Sequence, residues 1–484
     1  MGGLNNEVTT LSEVINQNFK ESGNHMTEPK NENRLQLPVV VPAPAADEDI
    51  QVLLGVEECV RYYPPNMESV EDPGAVFLPD PSLNRNRQID LFVDVPFCGT
   101  ICGFCPFNVY SYKEADAKRY LDALEKEVFE IKERHDFSEI KPRTVWVGGG
   151  TPSILSAALL DDLLRMLSDN FDLSAVDEYT VEIKPTPADL TREKFDLLRR
   201  HNVTRISMGV QSTQQVQLQI LGRHHTVAEA YEVIETVRKE GFPINIDMMY
   251  RLPGQTLDEL KQDLDAVRSL GIDHMSWFPY VAHPGTNLAK RIDTGKVTQP
   301  ATRAEYFEMF KLVVESLGES GYEGYTPYHF SLNGRCQYHV DRWQMPQLET
   351  LGIGPGAFSF FNNQIYANEH SPEKYAQAVN DKLPPVQLSK KLTETERITR
   401  LAVLGSKFFT IDMEKFREHS GVRMDEYYAK ELDLLQRAGL IEIHDNRLEC
   451  TMSGKAFNND IATIFGTDTA RRTRHPQAVD LMRM

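Results

Sequence analysis

The sequence predicts an α/β protein with a largely parallel sheet, followed by a small C-terminal α+β domain. From about residue 88, short apolar runs alternate with amphipathic helical stretches, and this alternation is typical of a parallel sheet with right-handed crossovers. After residue 389, several short helical stretches surround a pair of short strands, which is the order of a winged-helix module. Before residue 85 there is little periodicity of either kind.

Six strands are predicted in the alternating region, with helical stretches between them. The helix at residues 115–134 is the clearest of these stretches, because Leu121, Leu124, Val128 and Ile131 recur on one face. Periodicity alone does not distinguish an open sheet from a barrel. In a barrel, catalytic groups collect at the carboxyl ends of the strands. The strands are expected at residues 91–95, 144–147, 179–183, 205–210, 244–249 and 275–280.

The remaining segments define the predicted domain organisation. A helix at 304–320 and a Gly- and aromatic-rich stretch at 322–366 precede a Pro-Pro hinge at 383–385, and short strands at 440–443 and 447–450 mark the C-terminal module. The predicted parts are an N-terminal extension, largely disordered or extended (1–85), a six-unit core (86–300), a core extension and connection (301–385), a winged-helix-like domain (386–465) and a tail (466–484).

Composition and charge argue against several classes of protein. The chain has 484 residues, of which 41% are hydrophobic and 25% charged, as in ordinary globular proteins. The formal net charge of −19 argues against nucleic acid as a partner, because phosphate contacts need Lys and Arg; the winged-helix-like segment also lacks a basic stripe. No apolar run approaches the length of a membrane span, and the N-terminus lacks the features of a secretory signal. We therefore expect a cytoplasmic protein without membrane or nucleic-acid partners.

Three of the six cysteines lie in one short run directly after the first predicted strand. Cys98, Cys102 and Cys105 have C-x3-C-x2-C spacing, and three thiolates at this spacing can hold a cubane iron–sulfur cluster. Clusters held by cysteine normally have four such ligands, so one iron would stay open for chemistry. A zinc site and three unrelated buried thiols are the alternatives. Zinc sites usually pair C-x2-C units and need a fourth ligand, and none is obvious nearby.

Four motifs in order resemble those of the radical S-adenosylmethionine (SAM) superfamily, and in particular its oxygen-independent coproporphyrinogen III oxidase-like family. They are the cysteine run within 97–108, G-G-G-T-P-S at 148–153, S-M-G-V-Q-S at 207–212 and N-I-D-M-M-Y at 245–250. The resemblance extends over about residues 90–465. This family also includes haem chaperones and a branch of radical SAM C-methyltransferases and cyclopropanases.

The resemblance implies a partial (β/α)6 radical SAM barrel with a [4Fe-4S] cluster on Cys98, Cys102 and Cys105, and SAM, with two SAM molecules expected. It also implies a small-molecule substrate and an electron donor such as flavodoxin or ferredoxin. The residues that match SAM-contacting positions are Gly148, Gly149, Gly150, Thr151, Glu182, Gln211, Arg223 and Asp247.

Four further residues are placed with the cofactor-binding set by the same resemblance. Met249 and Val281 match positions that contact a second SAM, although as apolar residues they fit a barrel core equally well. Phe92 and Phe107 complete the set.

Three departures from the family pattern bear on the reaction. Phe107 stands where the porphyrinogen oxidases carry a fourth cysteine, and Asp94 stands where they and the haem chaperones usually carry His. The H-N-x-x-Y-W motif of the haem chaperones is matched only by Y-H-V-D-R-W at 338–343, which lacks the Asn and is one residue short. Asp94 would place an acid near the cluster and is therefore the candidate catalytic residue, with a structural hydrogen-bonding role as the alternative.

Together these features predict a radical SAM enzyme. Its main predicted activity is C-methylation or cyclopropanation of an unsaturated or aromatic small molecule with two SAM molecules. In that branch, one SAM gives a 5′-deoxyadenosyl radical, which abstracts hydrogen from the methyl group of the second SAM. The alternatives are a haem chaperone that binds rather than transforms, and a coproporphyrinogen III oxidative decarboxylase.

Overall fold

The structure is a computed structural model, and it describes residues 63–64, 67–76, 87–135, 137, 140–344, 346 and 348–466. The strands are β1 (Glu68–Ser69), β2 (Arg87–Val95), β3 (Phe97–Cys98), β4 (Tyr110–Ser111), β5 (Ile140–Gly149), β6 (Glu178–Ile183), β7 (Arg205–Gln211), β8 (Ile244–Tyr250), β9 (His274–Pro279), β10 (Glu323–Gly324), β11 (His329–Ser331), β12 (Glu349–Ile353), β13 (Phe358–Phe361), β14 (Gln364–Asn368), β15 (Val386–Lys391), β16 (Thr410–Asp412), β17 (Ile441–His444) and β18 (Arg447–Cys450).

Among the described residues, no helix is both long and apolar enough to cross a bilayer. The α-helices are α1 (Pro73–Val76), α2 (Glu114–Arg134), α3 (Ala157–Asn170), α4 (Arg192–Arg200), α5 (Gln215–Leu221), α6 (Val227–Lys239), α7 (Leu257–Ser269), α8 (Asn287–Asp293), α9 (Arg303–Glu319), α10 (Gln337–Trp343), α11 (Pro372–Asn380), α12 (Glu394–Gly405), α13 (Met413–Ser420), α14 (Met424–Tyr427), α15 (Ala429–Arg437), α16 (Met452–Ala456) and α17 (Asn458–Phe465).

One large sheet dominates the fold. It has 13 strands in the order β1-β15-β14-β13-β12-β2-β5-β6-β7-β8-β9-β11-β10. The run from β12 through β2 to β9 is parallel, and the strands at both ends are antiparallel. Because β2 pairs with β12 and not with β9, the ladder stays open. The predicted partial (β/α)6 barrel is thereby confirmed, with β2, β5, β6, β7, β8 and β9 as its six strands.

The six predicted strands are all present, and the differences lie at their ends. β2 begins at Arg87 and β5 at Ile140, because these residues continue the parallel ladder between the two strands. Pro279 ends β9, and Tyr280 lies just past it. Helix α9 begins at Arg303, since Thr302 caps it in a capping box with Glu305.

The interior of the barrel is polar as well as apolar. Ser207, Asn245, His274 and Ser276 are all buried, and Asn245 links the other three. It donates to Ser207 Oγ at 2.8 Å, and its Oδ1 lies 2.6 Å from His274 Nδ1 and accepts from Ser276 at 3.2 Å. Buried polar groups are stable only when paired in this way. The network joins β7, β8 and β9 in their amino-terminal halves, below the carboxyl ends at which a barrel places a functional site.

The C-terminal domain has a core of its own. β16, β18 and β17 form a three-stranded antiparallel sheet in that order, and helices α12–α17 pack on it around Leu401, Ile411, Phe416 and Leu435. Helices followed by a short hairpin agree with the predicted winged-helix-like domain.

The predicted domain boundaries stay predictions. Strand β15 follows directly after the predicted boundary at 385/386 and pairs with β14 in the large sheet. The predicted N-terminal extension (1–85) and tail (466–484) fall largely outside the described residues. Of the extension, the structure describes β1, which pairs with β15, and α1.

A buried carboxyl group ties the β12–β14 extension to the barrel. Glu127 lies on α2 and is 1% exposed. It accepts hydrogen bonds from the backbone N–H of Gly354 at 2.8 Å, from Asn368 Nδ2 at 2.6 Å and from the hydroxyl of Tyr375 at 2.6 Å. These donors follow β12, end β14 and lie on α11, so one side chain joins three elements to α2.

Replacing Glu127 with Gln should lower the thermal unfolding midpoint at about pH 5, because the amide NH2 would leave a buried donor without an acceptor, at a cost of about 1–3 kcal/mol. Burial raises the pKa of Glu127 from 4.5 to about 7. The stabilising contribution of this carboxyl is therefore complete below its unfolded pKa and is lost as pH rises through the folded value. The deficit of Glu127→Gln should shrink over that window. Glu125→Gln, exposed on the same helix, is the control, and a variant as stable as wild type at low pH would contradict the prediction.

Candidate functional site

The carboxyl ends of the barrel strands bring the predicted motifs to one edge. Asp94 at the end of β2 pairs with Gly148 of β5. Glu182 of β6 pairs with Ser207 of β7, and Asp247 of β8 pairs with Gly209 of β7. The predicted residues from five strands therefore surround one site.

The cysteine loop is held against this edge by backbone hydrogen bonds. Thr151 N–H donates to Phe97 O at 2.8 Å, which joins the loop to the Gly-rich turn after β5. In its middle, Gly103 N–H donates to Leu221 O at 3.0 Å, and Gly103 O accepts from Leu288 N–H at 2.7 Å. The loop is thus fixed by the turn, by the end of α5 and by the start of α8.

The three thiols are half-buried and have polar neighbours. Cys98 Sγ lies 3.4 Å from Thr151 Oγ1, and Arg223 Nη1 donates to Cys102 Sγ at 3.3 Å. Burial raises the pKa of Cys105 to about 12 and also raises that of Cys98. These groups therefore stay protonated unless bound metal stabilises the thiolates, as it does in metal sites generally.

The donor set fits an iron–sulfur cluster better than a single ion. Within the described residues, no three His, Cys, Asp or Glu side chains converge closely enough to hold one metal ion. A four-iron cluster offers a separate iron to each thiolate and so accepts sulfurs that lie farther apart. Neither of the other two described cysteines supplies a fourth zinc ligand, since Cys336 contacts Glu178 and Cys450 lies in the C-terminal core.

The Gly-rich turn has no room for side chains. A Cβ at Gly148 would lie 2.5 Å from the carboxyl carbon of Glu182 and 2.7 Å from Trp146 Nε1. A Cβ at Gly149, where φ is +93°, would lie 1.9 Å from Asp94 Oδ1, and a Cβ at Gly150 would lie 2.6 Å from the backbone of the cysteine loop at Phe97. At each of the three positions a side chain would collide with a different neighbour. Glycine is therefore needed there for close packing and not only for backbone flexibility.

Glu182 and Asp247 are partly buried acids with hydrogen-bonded carboxyl groups. Trp146 Nε1 donates to Glu182 Oε1 at 2.7 Å, and Asn245 donates to Asp247 Oδ1 at 2.9 Å. Burial raises the pKa of Glu182 to about 7 and raises that of Asp247. A cationic ligand would favour ionisation of both groups, since an opposite charge lowers a carboxyl pKa.

Asp94 differs from the other acids because half of its carboxyl group is unsatisfied. Asp94 is 7% exposed, and its Oδ2 has no hydrogen-bond partner among the described residues. Burial, with a smaller effect of Glu182, raises the pKa of Asp94 well above its usual range. Burial therefore favours the protonated form of Asp94, in which the carboxyl group can donate a hydrogen bond. The alternative role predicted for Asp94 was a structural hydrogen bond, and Oδ2 makes none with the described residues.

Arg223 and Gln211 complete the polar wall. Arg223 donates to the backbone O of Gly209, and its buried Nε–H has no partner in the described structure. Gln211 ends β7 at a bulge with φ of +76°, a backbone conformation that costs energy for a residue other than glycine. An unused N–H on a buried guanidinium suits a carboxylate ligand, which agrees with the predicted role of Arg223.

The apolar members of the predicted set are spread more widely. Met249 is 7% exposed and packs with Leu221 and Tyr280 and with Phe104 of the cysteine loop. Val281 is half-buried, Phe92 packs against Trp146, and Phe107 is 49% exposed. The structure shows core packing for Met249, and cofactor contact by any of these four residues stays a prediction.

Three residues that the sequence analysis missed shape the surroundings of Asp94. Trp146 lies two residues before Gly148, on the same face of β5, and strand alternation could have identified it. A Cβ on Gly354, where φ is +99°, would lie 2.6 Å from Asp94 O. The sequence pattern that could have identified Gly354 is a glycine directly after a strand. Tyr120 donates to the same carbonyl at 2.6 Å, for which the sequence holds no local signal.

The segment that partly resembles the haem-chaperone motif forms α10 and packs inside the barrel. The His339 ring stacks on Trp343 at 5.2 Å and lies 4.0 Å from the ring of His329. It also lies 5.5 Å from Trp146. Because Trp146 also donates to Glu182, one indole links α10 to the ring of site residues.

Two family models match the chain. A model of the radical SAM superfamily matches residues 92–267, and a model of the HemN C-terminal domain matches residues 392–457. The first includes the cysteine loop and the strand ends from β2 to β8, and the second coincides with most of the C-terminal domain.

Two kinds of curated relative align over most of the chain. The haem chaperone HemW of Bacillus subtilis is 29% identical over 381 residues, which cover 77% of this chain and 98% of that protein. The oxygen-independent coproporphyrinogen III oxidase of Escherichia coli is 26% identical over 442 residues, which cover 86% of this chain and 94% of that protein. The solved coproporphyrinogen III oxidase HemN from Escherichia coli has a TM-score of 0.69 at 24% identity, covering 80% of this chain and 92% of that one, and supports the fold.

Gly149→Ala should destabilise the protein and abolish SAM binding, because the new methyl group would collide with Asp94 Oδ1 in addition to the backbone strain at positive φ. Gly241→Ala is the matched control. Its φ is +81° and nothing lies within 4 Å of the new methyl group, so it carries only strain of about 1–2 kcal/mol. Thermal unfolding and SAM titration compare the two variants. Equal losses of stability would contradict a steric role for Gly149.

Proposed function

The chain belongs to the radical SAM superfamily and to its oxygen-independent coproporphyrinogen III oxidase-like family, and on this basis we propose that it binds a [4Fe-4S] cluster and SAM at the edge formed by β2, β5, β6, β7 and β8. The observation that carries the proposal is the meeting of the cysteine loop with the site residues. Thr151 of the Gly-rich turn contacts Cys98, and Arg223 contacts Cys102.

Cys98, Cys102 and Cys105 would hold the cluster. When bound, the cluster supplies the electron that cleaves SAM and releases a 5′-deoxyadenosyl radical. The chain's own part is to orient SAM and exclude water. The loop anchors at Gly103 keep the thiols in place, and the glycine turn lets Asp94 and Glu182 approach the cysteine loop closely.

SAM carries a positive sulfonium, an ammonium group and a carboxylate, and the site offers complementary groups. The unused Nε–H of Arg223 suits the carboxylate. Burial raises the pKa values of Glu182 and Asp247, and a bound cation would lower both and favour the ionised carboxylates. The strand-end carboxyl groups therefore adapt their charge to the ligand.

For the substrate, we propose a tetrapyrrole and, specifically, a haem-binding role like that of the HemW relatives. The HemW protein of Bacillus subtilis aligns over 98% of its length, and the departure at Phe107 separates this chain from the oxidases. The comparisons do not support the main predicted activity, C-methylation or cyclopropanation, because the described relatives are named as haem chaperones and coproporphyrinogen oxidases.

Substitution of a cluster cysteine should remove the iron. Cys98→Ala, Cys102→Ala and Cys105→Ala should each lose most of the four irons per chain that anaerobic reconstitution of the wild type should give, since a cluster with three protein ligands has none to spare. Cys450→Ala, in the C-terminal core, is the control and should keep its iron. Iron analysis and visible absorption measure the outcome, and a full cluster in Cys102→Ala would exclude this site.

Glu182→Gln and Arg223→Gln should weaken SAM binding by about 10- to 150-fold, because each removes a charge-assisted hydrogen bond worth about 1.5–3 kcal/mol. Iron content should not change, as neither residue is a cluster ligand. Isothermal titration of the reconstituted protein measures the affinity, with Glu442→Gln, an exposed residue of β17, as the control. Wild-type affinity in both variants would remove them from the site.

The substrate proposal is tested by haem titration combined with SAM turnover. A chaperone-like protein should bind haem stoichiometrically and leave coproporphyrinogen III unchanged. Decarboxylated porphyrinogen would favour the oxidase alternative. SAM deuterated in its methyl group addresses the remaining prediction, since deuterium in 5′-deoxyadenosine with unlabelled substrate would identify methyl hydrogen abstraction and contradict the haem-chaperone proposal.

A further inference from the structure

A buried guanidinium without an anionic partner lies where the C-terminal domain meets the large sheet. Arg400 is on α12 and is 6% exposed. Its Nε–H has no hydrogen-bond partner, and among the described residues its guanidinium makes no ion pair. Its guanidinium carbon lies 4.0 Å from the centre of the Phe360 ring of β13. A buried charge is costly unless it is paired and hydrogen-bonded, so a bound anion would stabilise Arg400.

The charged groups around Arg400 do not neutralise it. Burial, with a smaller effect of the guanidinium of Arg342, lowers the pKa of Arg400 from 12.5 to about 9, so the side chain keeps its charge at neutral pH. Glu396 lies one turn earlier on α12, but its carboxylate accepts hydrogen bonds from Thr393 and pairs with Lys390 at 2.7 Å. The acid one turn away is thus already engaged.

The strand register places Phe360, and with it Arg400, on the inner face of the sheet. Phe360 of β13 pairs with Thr350 of β12, which pairs with Asp90 of β2. Asp90 lies on the same face of β2 as Asp94, because strand residues two or four apart share a face. Phe360 is therefore about 10 Å from β2 across the strands, and about 13 Å from the level of Asp94 along them.

Half-buried aromatic side chains lie between Arg400 and the candidate site on this face. Phe358 and Phe360 are both half-buried and share one side of β13. Phe358 lies beside Gly352, which pairs with the half-buried Phe92 of β2. We call the surface formed by Phe92, Phe358 and Phe360 the phenylalanine face. Ligand sites commonly combine such an aromatic lining with a few polar groups that fix orientation, and here the polar group at the end of the face is a cation.

We propose that Arg400 binds a propionate carboxylate of the tetrapyrrole, whose ring lies on the phenylalanine face. The proposal rests on the proposed function, because it takes a tetrapyrrole as the substrate. A guanidinium pairs with a carboxylate through two parallel N–H donors, and this carboxylate supplies the anion that Arg400 lacks. The separation between Phe360 and the level of Asp94 is comparable to the length of a tetrapyrrole from its propionates to its opposite edge. The ring therefore points toward the cysteine loop while its acidic end stays at α12.

Haem and its dimethyl ester, in which both propionates are esterified, test the assignment on the reconstituted full chain. Wild type should bind haem about 10- to 100-fold more tightly than the ester, as measured by absorption titration. Arg400→Met, which keeps the packing on Phe360, should weaken haem binding by a similar factor and leave the affinity for the ester unchanged. Arg400→Lys should lose less, because it keeps the charge. Arg397→Met, an exposed change on the same helix, is the control and should match wild type with both ligands.

The thermal unfolding midpoint without haem separates a binding role from a structural one. Arg400→Met removes a buried charge that has no anionic partner among the described residues, so its midpoint should equal or exceed that of wild type. A lower midpoint, or equal losses of affinity for haem and for the ester, would assign Arg400 to packing and overturn the proposal.

Failure of this proposal is distinguishable from failure of the proposed function. A wild-type protein that binds neither haem nor the ester would overturn the haem-binding function itself. Haem binding with Arg400→Met at wild-type affinity, or with an ester that binds as tightly as haem, would overturn only the role of Arg400. Inorganic phosphate that stabilises wild type but not Arg400→Met, with haem affinity unchanged, would assign the guanidinium to a free anion and would also overturn it.

Discussion

The close contact at Gly148–Gly150 is the constraint on which the site depends. Three consecutive residues without side chains allow Glu182, Asp94 and the backbone of the cysteine loop to approach the same turn from three directions. The resulting hydrogen bonds from Gly150 N–H to Val95 O and from Thr151 N–H to Phe97 O then fix where the cysteine loop begins. The position at which the cysteine loop begins is therefore set by backbone geometry.

Contacts from α2 and from the residues after β12 support Asp94, which lies against this turn. Glu127 holds Gly354 by its N–H, and Gly354 packs against the backbone of Asp94, to which Tyr120 also donates. The β12–β14 extension is consequently part of the site and not an appendage, because removing it would uncover Asp94. Helix α10 is likewise connected to the site, because Trp146 packs against its rings and donates a hydrogen bond to Glu182.

The sequence predicted the fold well, because the fold depends on local signals. Alternating strands and helices are visible as periodicity, and the motifs after β2, β5, β7 and β8 follow directly in the chain. What it could not supply were contacts between segments that are distant in sequence, such as Glu127 with Asn368 or Trp146 with His339. The polar contacts of Trp146, Asn245 and His274 inside the barrel were also missed, since a strand interior is expected to be apolar. Asn245 and His274 are hydrogen-bonded to each other, and Trp146 donates to Glu182.

The replacement of the family's histidine by Asp94 changes the chemistry of the site less than the two residue types suggest. Burial lowers the pKa of a histidine and raises that of an aspartate, so both would be neutral at this position before the cofactors bind. A neutral imidazole and a neutral carboxyl each offer one donor and one acceptor. The two side chains differ in length, since an aspartate is shorter than a histidine. The carboxyl group of Asp94 lies against Gly149, and its Oδ2 has no partner among the described residues. A protonated Asp94 can thus take the hydrogen-bonding part of the imidazole, whereas after losing its proton it would be a buried anion beside Glu182. Burial and the neighbouring Glu182 both oppose ionisation of Asp94, so the protonated side chain is the form that this position favours.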